Sequence, residues 1–318
     1  MSSNSPIVAS QLVRHFGSSD NPVRAVDGVD LEVREGEIFG FLGPNGAGKS
    51  TTVRMLTTLL RPTSGTARVA GFDIVREADK VRRNIGVALQ DAAIDPLMTG
   101  NELLELQAVL YGIAPVSVKS RAGELLERVG LTAAADRRVG TYSGGMRRRL
   151  DLALSLIHEP TVLFLDEPTT GLDPMSRVTL WEEVRRLNKE GTTVLLTTQY
   201  LEEADQLADR IAIIDGGKIV REGVPRDLKA QVGAPTLLIT VDAAHNDAAL
   251  RVLGEFGDMR PTAEGTLGVG LAAGARAVTD VVRRLDEQGI VVHHLELNEP
   301  SLDDVFAEAT GHRLEGEK

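Results

Sequence analysis

A glycine-rich segment that ends in a lysine and two hydroxyl residues is the first feature of this sequence that could do chemistry. It reads GPNGAGKST over residues 43–51 and fits the spacing G-x-x-x-x-G-K-[ST]. Its glycines let the backbone turn tightly and aim N–H groups at phosphate oxygens, Lys49 can reach the β- and γ-phosphates, and the Ser50 hydroxyl can bind Mg²⁺. Residues 38–42 are predicted as the preceding strand and residues 51–59 as the following helix, which is the context this chemistry requires. The predicted nucleotide contacts in this segment are Gly43, Pro44, Asn45, Gly46, Ala47, Gly48, Lys49, Ser50 and Thr51.

Two adjacent carboxylates follow a short apolar run further along the chain. Residues 162–167 read VLFLDE, in the style of a buried parallel strand. Such a strand delivers Asp166 to the sheet edge, where it can hold a metal ion through water, and places Glu167 where it can polarise an attacking water. Because a phosphate-binding loop lies upstream in the same pattern, we interpret the pair as catalytic and not as an ordinary strand end.

A third motif, YSGGM at residues 142–146, lies between these two. A serine and two glycines at a helix start form an anion site, because the hydroxyl, free N–H groups and the helix dipole converge there. In this order the three motifs resemble the ATP-binding cassette (ABC) family, whose signature usually reads LSGGQ; the resemblance covers about residues 7–230. It implies ATP and Mg²⁺ as ligands and assigns phosphate contacts to Ser143, Gly144 and Gly145.

The resemblance also implies roles for residues outside the motifs. Gln90 matches the glutamine that contacts the metal and the lytic water and senses the transmembrane subunit. Asp173 matches the family's D-loop aspartate, and Phe16 matches the aromatic that stacks on adenine. Only its spacing in the sequence supports the role of Phe16, and the alternative is an ordinary core or edge aromatic. The implied metal ligands are therefore Ser50, Gln90 and Asp166, and the implied catalytic residues are Glu167, Gln199 and Gln90.

Three positions depart from the usual family pattern. Gln199 stands where a histidine is usual, and glutamine can donate a hydrogen bond to the γ-phosphate but cannot carry a proton. We therefore expect hydrolysis that depends on Glu167 and is slow. Tyr142 and Met146 replace the outer residues of the signature, and we expect function to survive both.

These departures narrow the resemblance to one branch of the family. TTQY at 197–200, YSGGMRRRLDLA at 142–153 and PSLDDVF at 300–306 are similar to the daunorubicin-resistance type of ABC ATPase. That branch pairs with separate integral membrane subunits, exports drugs or lipids and carries a C-terminal extension. The resemblance implies a homodimer packed head to tail, with ATP between Lys49 of one copy and Ser143 of the other, at the cytoplasmic face of the cell membrane.

The elements that must position these residues indicate an α/β chain of two domains. Residues 7–39 alternate in the manner of strands, residues 76–158 are mostly helical in pattern, and a helix at 175–189 between two short apolar runs predicts a parallel sheet. Together with the resemblance, this gives an ABC ATPase fold over residues 6–232, with a phosphate-loop core, an antiparallel β subdomain and a helical signature subdomain.

The remaining residues, 233–318, are predicted to form a small C-terminal α+β accessory domain of the βαββαβ type. Ser301 is the predicted N-cap of a final helix. The predicted elements before it are strand 236–242, helix 246–256, a hairpin-like pair at 260–271, helix 275–288 and strand 291–297.

The composition argues against several other functions. The sequence has no cysteine, which excludes disulfides and thiolate zinc sites, and its net charge of −11 argues against a nucleic-acid partner. It has no apolar run of about 18 residues, as a membrane helix needs, and its polar start does not resemble a signal peptide, so we expect a cytoplasmic protein.

Two other interpretations stay open. The chain could be a non-transport ABC ATPase of DNA repair or translation, although it has one cassette and an acidic balance. It could also be an ATP-binding clamp with little hydrolysis, which Gln199 suggests. A phosphate-loop GTPase is disfavoured because Asn188-Lys189-Glu190 lacks the aspartate of a guanine-reading N-K-x-D segment.

Overall fold

The computed structural model describes residues 5–17, 22–89, 94–260, 262 and 265–312. These residues form two compact units that divide between Pro225 and Arg226, and each unit has a core of its own. Among the described ranges, no helix is both long and apolar enough to cross a membrane.

The first unit combines two β-sheets with a set of helices. Its strands are β1 (Ile7–Phe16), β2 (Val23–Val33), β3 (Ile38–Leu42), β4 (Ser64–Val69), β5 (Phe72–Asp73), β6 (Ile85–Ala88), β7 (Val162–Asp166), β8 (Thr193–Thr198), β9 (Arg210–Asp215) and β10 (Lys218–Gly223). Its helices are α1 (Lys49–Leu56), α2 (Ala78–Asn84), α3 (Gly100–Leu110), α4 (Pro115–Arg128), α5 (Gly144–Ser155), α6 (Pro174–Lys189) and α7 (Leu201–Leu207).

The larger sheet positions the candidate catalytic residues. Its strand order is β10-β9-β3-β8-β7-β6, and every neighbouring pair is parallel except β10 with β9. Strands β3, β7 and β8 are buried along their whole length, as expected of parallel strands covered on both faces. The register pairs Leu42 with Thr198 and Asp166 with Thr197, so the loops after these three strands meet at one edge of the sheet.

The smaller sheet is antiparallel, with the order β2-β1-β4-β5. Its buried side chains share one core with those of α1 and of the larger sheet, and a second core joins α3, α4, α5 and α6 to that sheet. The antiparallel β subdomain and the helical subdomain implied by the resemblance are both present. The expected fold class is therefore confirmed.

The region 76–158 is mostly helical, as expected, but it contains one strand that the pattern did not predict. Residues 85–88 form β6, which pairs parallel to β7. An apolar run of four residues is too short for periodicity to distinguish a strand from a helix. The next helix that the structure describes is α3, which begins only at Gly100, behind a Thr99–Glu102 capping box.

The second unit has the βαββαβ arrangement that was predicted. Its antiparallel sheet has the order β12-β13-β11-β14, and α9 and α10 contribute to the core with β11 and β13. Ser301 caps the last helix as expected, since its Oγ accepts the Asp304 N–H at 3.2 Å. The elements are α8 (Pro225–Val232), which begins at the division, β11 (Thr236–Val241), α9 (Asn246–Leu253), β12 (Met259–Arg260), β13 (Leu267–Gly270), α10 (Ala275–Glu287), β14 (Val292–Asn298) and α11 (Leu302–Thr310).

Candidate active site

The glycine-rich segment forms a tight loop between β3 and α1. A Cβ at Gly43 would lie 2.3 Å from the carbonyl oxygen of Ile214, and one at Gly48 would lie 2.3 Å from that of Ala25. Gly48 also has a φ of +109° and precedes the first turn of α1. Glycine is therefore required at both positions. The loop ends at the N-terminus of α1, where the free N–H groups of the helix can bind an anion.

The Lys49 side chain lies inside this loop and is only 4% exposed. Its Nζ donates hydrogen bonds to the carbonyls of Gly43 (2.8 Å) and Pro44 (3.1 Å) and lies 3.4 Å from Oε1 of Glu167. Burial lowers the pKa of Lys49, and the carboxylates of Glu167 and Asp166 oppose that shift. The loop thus holds an amine beside the carboxylate predicted to activate water.

The Asp166 carboxylate, at the end of β7, accepts two hydroxyl hydrogen bonds. Ser50 Oγ donates to its Oδ1 at 3.0 Å, and Thr197 Oγ1 donates to the same oxygen at 2.5 Å. A hydroxyl and a carboxylate oxygen at this separation are the hard oxygen donors that Mg²⁺ prefers, so these two side chains fit that ion. Thr197 was not among the predicted site residues, and only the pairing of β7 with β8 reveals it.

Glu167 follows β7 in a backbone conformation that is unusual for a residue with a side chain. Its φ is +49°, and its N–H donates to both the carbonyl oxygen and Oγ1 of Thr197, each at 3.1 Å. The side chain is buried beside Lys49 and near the Thr170 hydroxyl, which donates to Oε2 at 3.4 Å. Residues held in such strained conformations cluster at active sites, because the surrounding contacts fix one orientation.

Of the two predicted catalytic glutamines, the structure describes Gln199 but not Gln90. Gln199 is half-buried directly after β8, and the Gly43 N–H donates to the carbonyl of the preceding Thr198 at 3.3 Å, so the loop that carries Gln199 adjoins the phosphate-binding loop. Gln90 lies outside the described residues, next to Leu89.

Phe16 and Asp173 make their contacts with residues outside the cluster of Lys49, Ser50, Asp166 and Glu167. Phe16 ends β1 and is 40% exposed as a whole residue, and the Arg14 guanidinium carbon lies 4.6 Å from its ring centroid. Asp173 caps α6 and accepts hydrogen bonds from Ser176 N (3.0 Å) and Ser176 Oγ (2.6 Å), and these bonds lower its pKa. Within the described ranges, no hydrogen bond joins either residue to the loop at 43–51.

The signature residues lie at an exposed helix start. Ser143 caps α5 by accepting the Met146 N–H at 3.2 Å, and Ser143 and Gly144 are exposed. Tyr142, one of the unusual signature residues, is buried and donates to the Ala134 carbonyl at 2.7 Å, so it belongs to the core of the helical subdomain. The hydrogen bonds of the described chain do not link Ser143 to Lys49 or Glu167. The structure thus brings together the phosphate loop and the two carboxylates, but not the signature.

Arg148, like Thr197, lies at this edge of the sheet and was not among the predicted site residues. Its guanidinium lies at the end of β7 and donates to main-chain carbonyls there. The run of adjacent arginines at 147–149 contains no signal that distinguishes its middle member.

Two family models match this chain. The model described as ABC transporter matches residues 26–170, which include the phosphate loop, the signature and both carboxylates. The model described as ATP-binding protein DrrA1-3-like, C-terminal domain, matches residues 223–310.

Relatives and solved structures agree with these models. Daunorubicin resistance ATP-binding protein DrrA2 of Streptomyces coeruleorubidus is 50% identical, over 92% of each chain. Doxorubicin resistance ATP-binding protein DrrA of Mycobacterium tuberculosis is 45% identical, over 90% of this chain and 88% of the relative. The dimeric ATP-binding cassette MJ0796 bound to ADP and Pi has a TM-score of 0.64 and 26% identity, and the match covers 69% of this chain and 98% of that structure. The chain therefore belongs to the ABC transporter family, as an ATP-hydrolysing transporter subunit of the daunorubicin-resistance type.

Proposed function

We propose that this chain powers the export of a drug-like or lipid molecule through separate integral membrane subunits, from the cytoplasmic face of the cell membrane. The observation that carries the proposal is the cluster of the buried Lys49, Asp166 and Glu167 with the half-buried Ser50 at one sheet edge. The relatives named for daunorubicin and doxorubicin resistance support a drug-like cargo.

In this proposal the loop at 43–51 binds the phosphates of ATP through its N–H groups and Lys49. Ser50 and Asp166, with Gln90, hold Mg²⁺, which when bound neutralises negative charge on the phosphates. Glu167 accepts the proton of the attacking water, and its fixed backbone keeps the carboxylate aimed at one place. Gln199 donates a hydrogen bond to the γ-phosphate but moves no proton, so Glu167 is the single general base.

A second copy of the chain completes the site. Because Ser143 and Gly144 are exposed, the N-terminus of α5 is available to phosphates bound by another copy. In a head-to-tail pair, ATP lies between Lys49 of one copy and Ser143 of the other, and two-fold symmetry makes two equivalent sites. The dimeric state of the MJ0796 cassette supports this arrangement.

The membrane subunit docks beside α3 in this proposal. A groove of about 550 Å³ lies there, lined largely by apolar side chains that include Leu89, Met98 and Leu106. The exposed Val109 and Leu110 extend the apolar surface along the same helix. An amphipathic segment of the membrane subunit would cover this surface. No nucleic acid is expected as a partner.

The test is ATP hydrolysis by wild type beside Glu167→Gln, with dimerisation followed by light scattering. We expect the wild type to hydrolyse ATP, and the variant to bind ATP and dimerise without turnover. Turnover by Glu167→Gln at the wild-type rate would show that the base is misassigned. ATP binding without dimerisation in either protein would refute the shared site. Export is tested with daunorubicin uptake into inside-out vesicles that contain this chain and its membrane subunit.

A further inference from the structure

We propose that Arg148 is a positioning residue that fixes the catalytic Glu167 by holding its main chain. The proposal rests on the role assigned to Glu167 above and goes beyond it, because it names what keeps that carboxylate in place. It also connects the signature helix α5 to the hydrolytic residue of the same chain.

The Arg148 guanidinium binds three consecutive carbonyls where β7 ends. Nη2 donates to the carbonyls of Asp166 (2.9 Å) and Glu167 (2.6 Å), and Nε donates to that of Pro168 (3.0 Å). Nη1 donates to the carbonyl of Leu89 at 2.5 Å. These bonds satisfy carbonyls at the edge of the sheet, and the side chain that makes them is only 10% exposed.

Glu167 is consequently anchored on both sides. Its N–H is bound by Thr197 of β8, and its carbonyl is bound by Arg148 of α5. With φ at +49°, the residue adopts a conformation that it does not favour by itself, so release of one anchor lets the main chain relax and moves the carboxylate. The guanidinium presents five N–H donors in a rigid planar fork, whereas a lysine ammonium has three donors on one atom at the end of a flexible stem, so a lysine cannot reach all four of these carbonyls in the same geometry.

The two neighbouring arginines on α5 have different surroundings. Arg147 is exposed, and Arg149 donates to the Val129 carbonyl at 2.8 Å, within the helical subdomain. Successive helix residues differ in direction by about 100°, so only one of the three can face the sheet. Arg147 and Arg149 are therefore matched controls for charge, size and helix position.

The same helix carries two other features of the proposed cycle. Ser143 caps its exposed start, and Asp151 lines the groove beside α3, with Oδ2 3.9 Å from Arg148 Nη1. A shift of α5 against the sheet, caused by contact at Ser143 or in the groove at Asp151, moves the guanidinium that holds the carbonyls of Glu167 and Leu89. Arg148 thereby makes the position of Glu167 dependent on the position of the signature helix.

The test compares Arg148→Gln, Arg148→Lys, Arg147→Gln and Arg149→Gln in steady-state ATP hydrolysis. A displacement of about 1 Å at a reacting group lowers turnover by on the order of 100-fold, so we expect kcat of Arg148→Gln to fall about 10- to 100-fold. Its KM for ATP stays within about twofold of wild type, because the phosphate loop is untouched. The kcat of Arg148→Lys lies between those of Arg148→Gln and wild type. Both controls, Arg147→Gln and Arg149→Gln, keep the wild-type kcat.

Folding and the underlying mechanism are checked separately. Each variant must show a thermal shift with Mg-ATP, which reports a folded, nucleotide-binding protein. A folded Arg148→Gln with wild-type kcat would overturn the proposal, as would a loss of ATP affinity with kcat unchanged or an equal loss of kcat in Arg147→Gln. If Glu167→Gln itself turned over ATP normally, the proposed function would fail instead, whatever the Arg148 variants did.

Discussion

Replacement of Asp151 by asparagine should make the first unit more stable at pH 8 but not at pH 5. Asp151 is 9% exposed, and its Oδ2 has no hydrogen-bond partner in the part of the chain that the structure describes. The Arg148 guanidinium is 3.9 Å away, which is too far for a hydrogen bond. Burial raises the pKa of Asp151 from 3.8 to about 7, and Arg148 opposes the shift only in part.

The sign of the effect follows from proton binding. Between pH 3.8 and about 7 the folded protein keeps a proton on Asp151 that the unfolded chain has lost, so the free energy of unfolding falls as pH rises through this window. Each pH unit is worth about 1.4 kcal/mol, which gives about 4 kcal/mol across the window and about 3 kcal/mol between pH 5 and pH 8. Asparagine does not ionise and so does not lose this stability, while it keeps the shape of the side chain.

Urea unfolding at pH 5, 6, 7 and 8 measures the difference directly. The single tryptophan, Trp181, lies in the first unit, so its fluorescence reports the unfolding of that unit. Asp79→Asn is the control, because the Asp79 side chain is 84% exposed. A stability difference between Asp151→Asn and wild type that stays constant from pH 5 to pH 8, or one that favours wild type at pH 8, would refute the reasoning.

Three further predictions concern the site and its support. Gln199→His should hydrolyse ATP at least as fast as wild type, because imidazole adds a group that can carry a proton; sharply reduced turnover would contradict this. Gly43→Ala should lose the thermal shift with Mg-ATP, since its Cβ would lie 2.3 Å from a carbonyl oxygen, whereas Gly123→Ala, with open space around it, should keep the shift. Glu203→Leu should lower the free energy of unfolding by about 1–3 kcal/mol in urea titrations, because the buried Trp181 Nε1, 3.1 Å from Glu203 Oε1, loses its acceptor. Glu203→Gln keeps an acceptor and should cost much less, and an equal cost for both variants would exclude this explanation.

The predictable parts of this protein are those that short-range spacing determines. Lys49, Ser50, Asp166 and Glu167 were named from the sequence because a strand, a turn and a helix start fix their positions within a few residues. Ser301 was likewise identified as a cap, since a cap and its helix are adjacent in the chain.

The missed features depend on contacts between distant segments. β6 is a strand only because β7 lies beside it, and Thr197 belongs to the Asp166 cluster only through the β7–β8 register. Arg148 differs from Arg147 and Arg149 by the rotation of α5 against the sheet, which a run of identical residues cannot reveal. The buried position of Asp151 follows from that same rotation.

The placement of these side chains on one helix has a mechanical consequence. α5 has 12 residues and a length of about 18 Å, with Ser143 at its exposed start and Asp151 in the groove wall. If this helix moves as one unit, the proposed closure of a second copy on Ser143 and the proposed docking of a membrane subunit in the groove would both displace Arg148. In the proposed mechanism Glu167 is the only general base, because Gln199 cannot accept a proton, so hydrolysis would depend on the carboxylate that Arg148 is proposed to position. The rate of the isolated chain should therefore be low and should rise when both contacts are made.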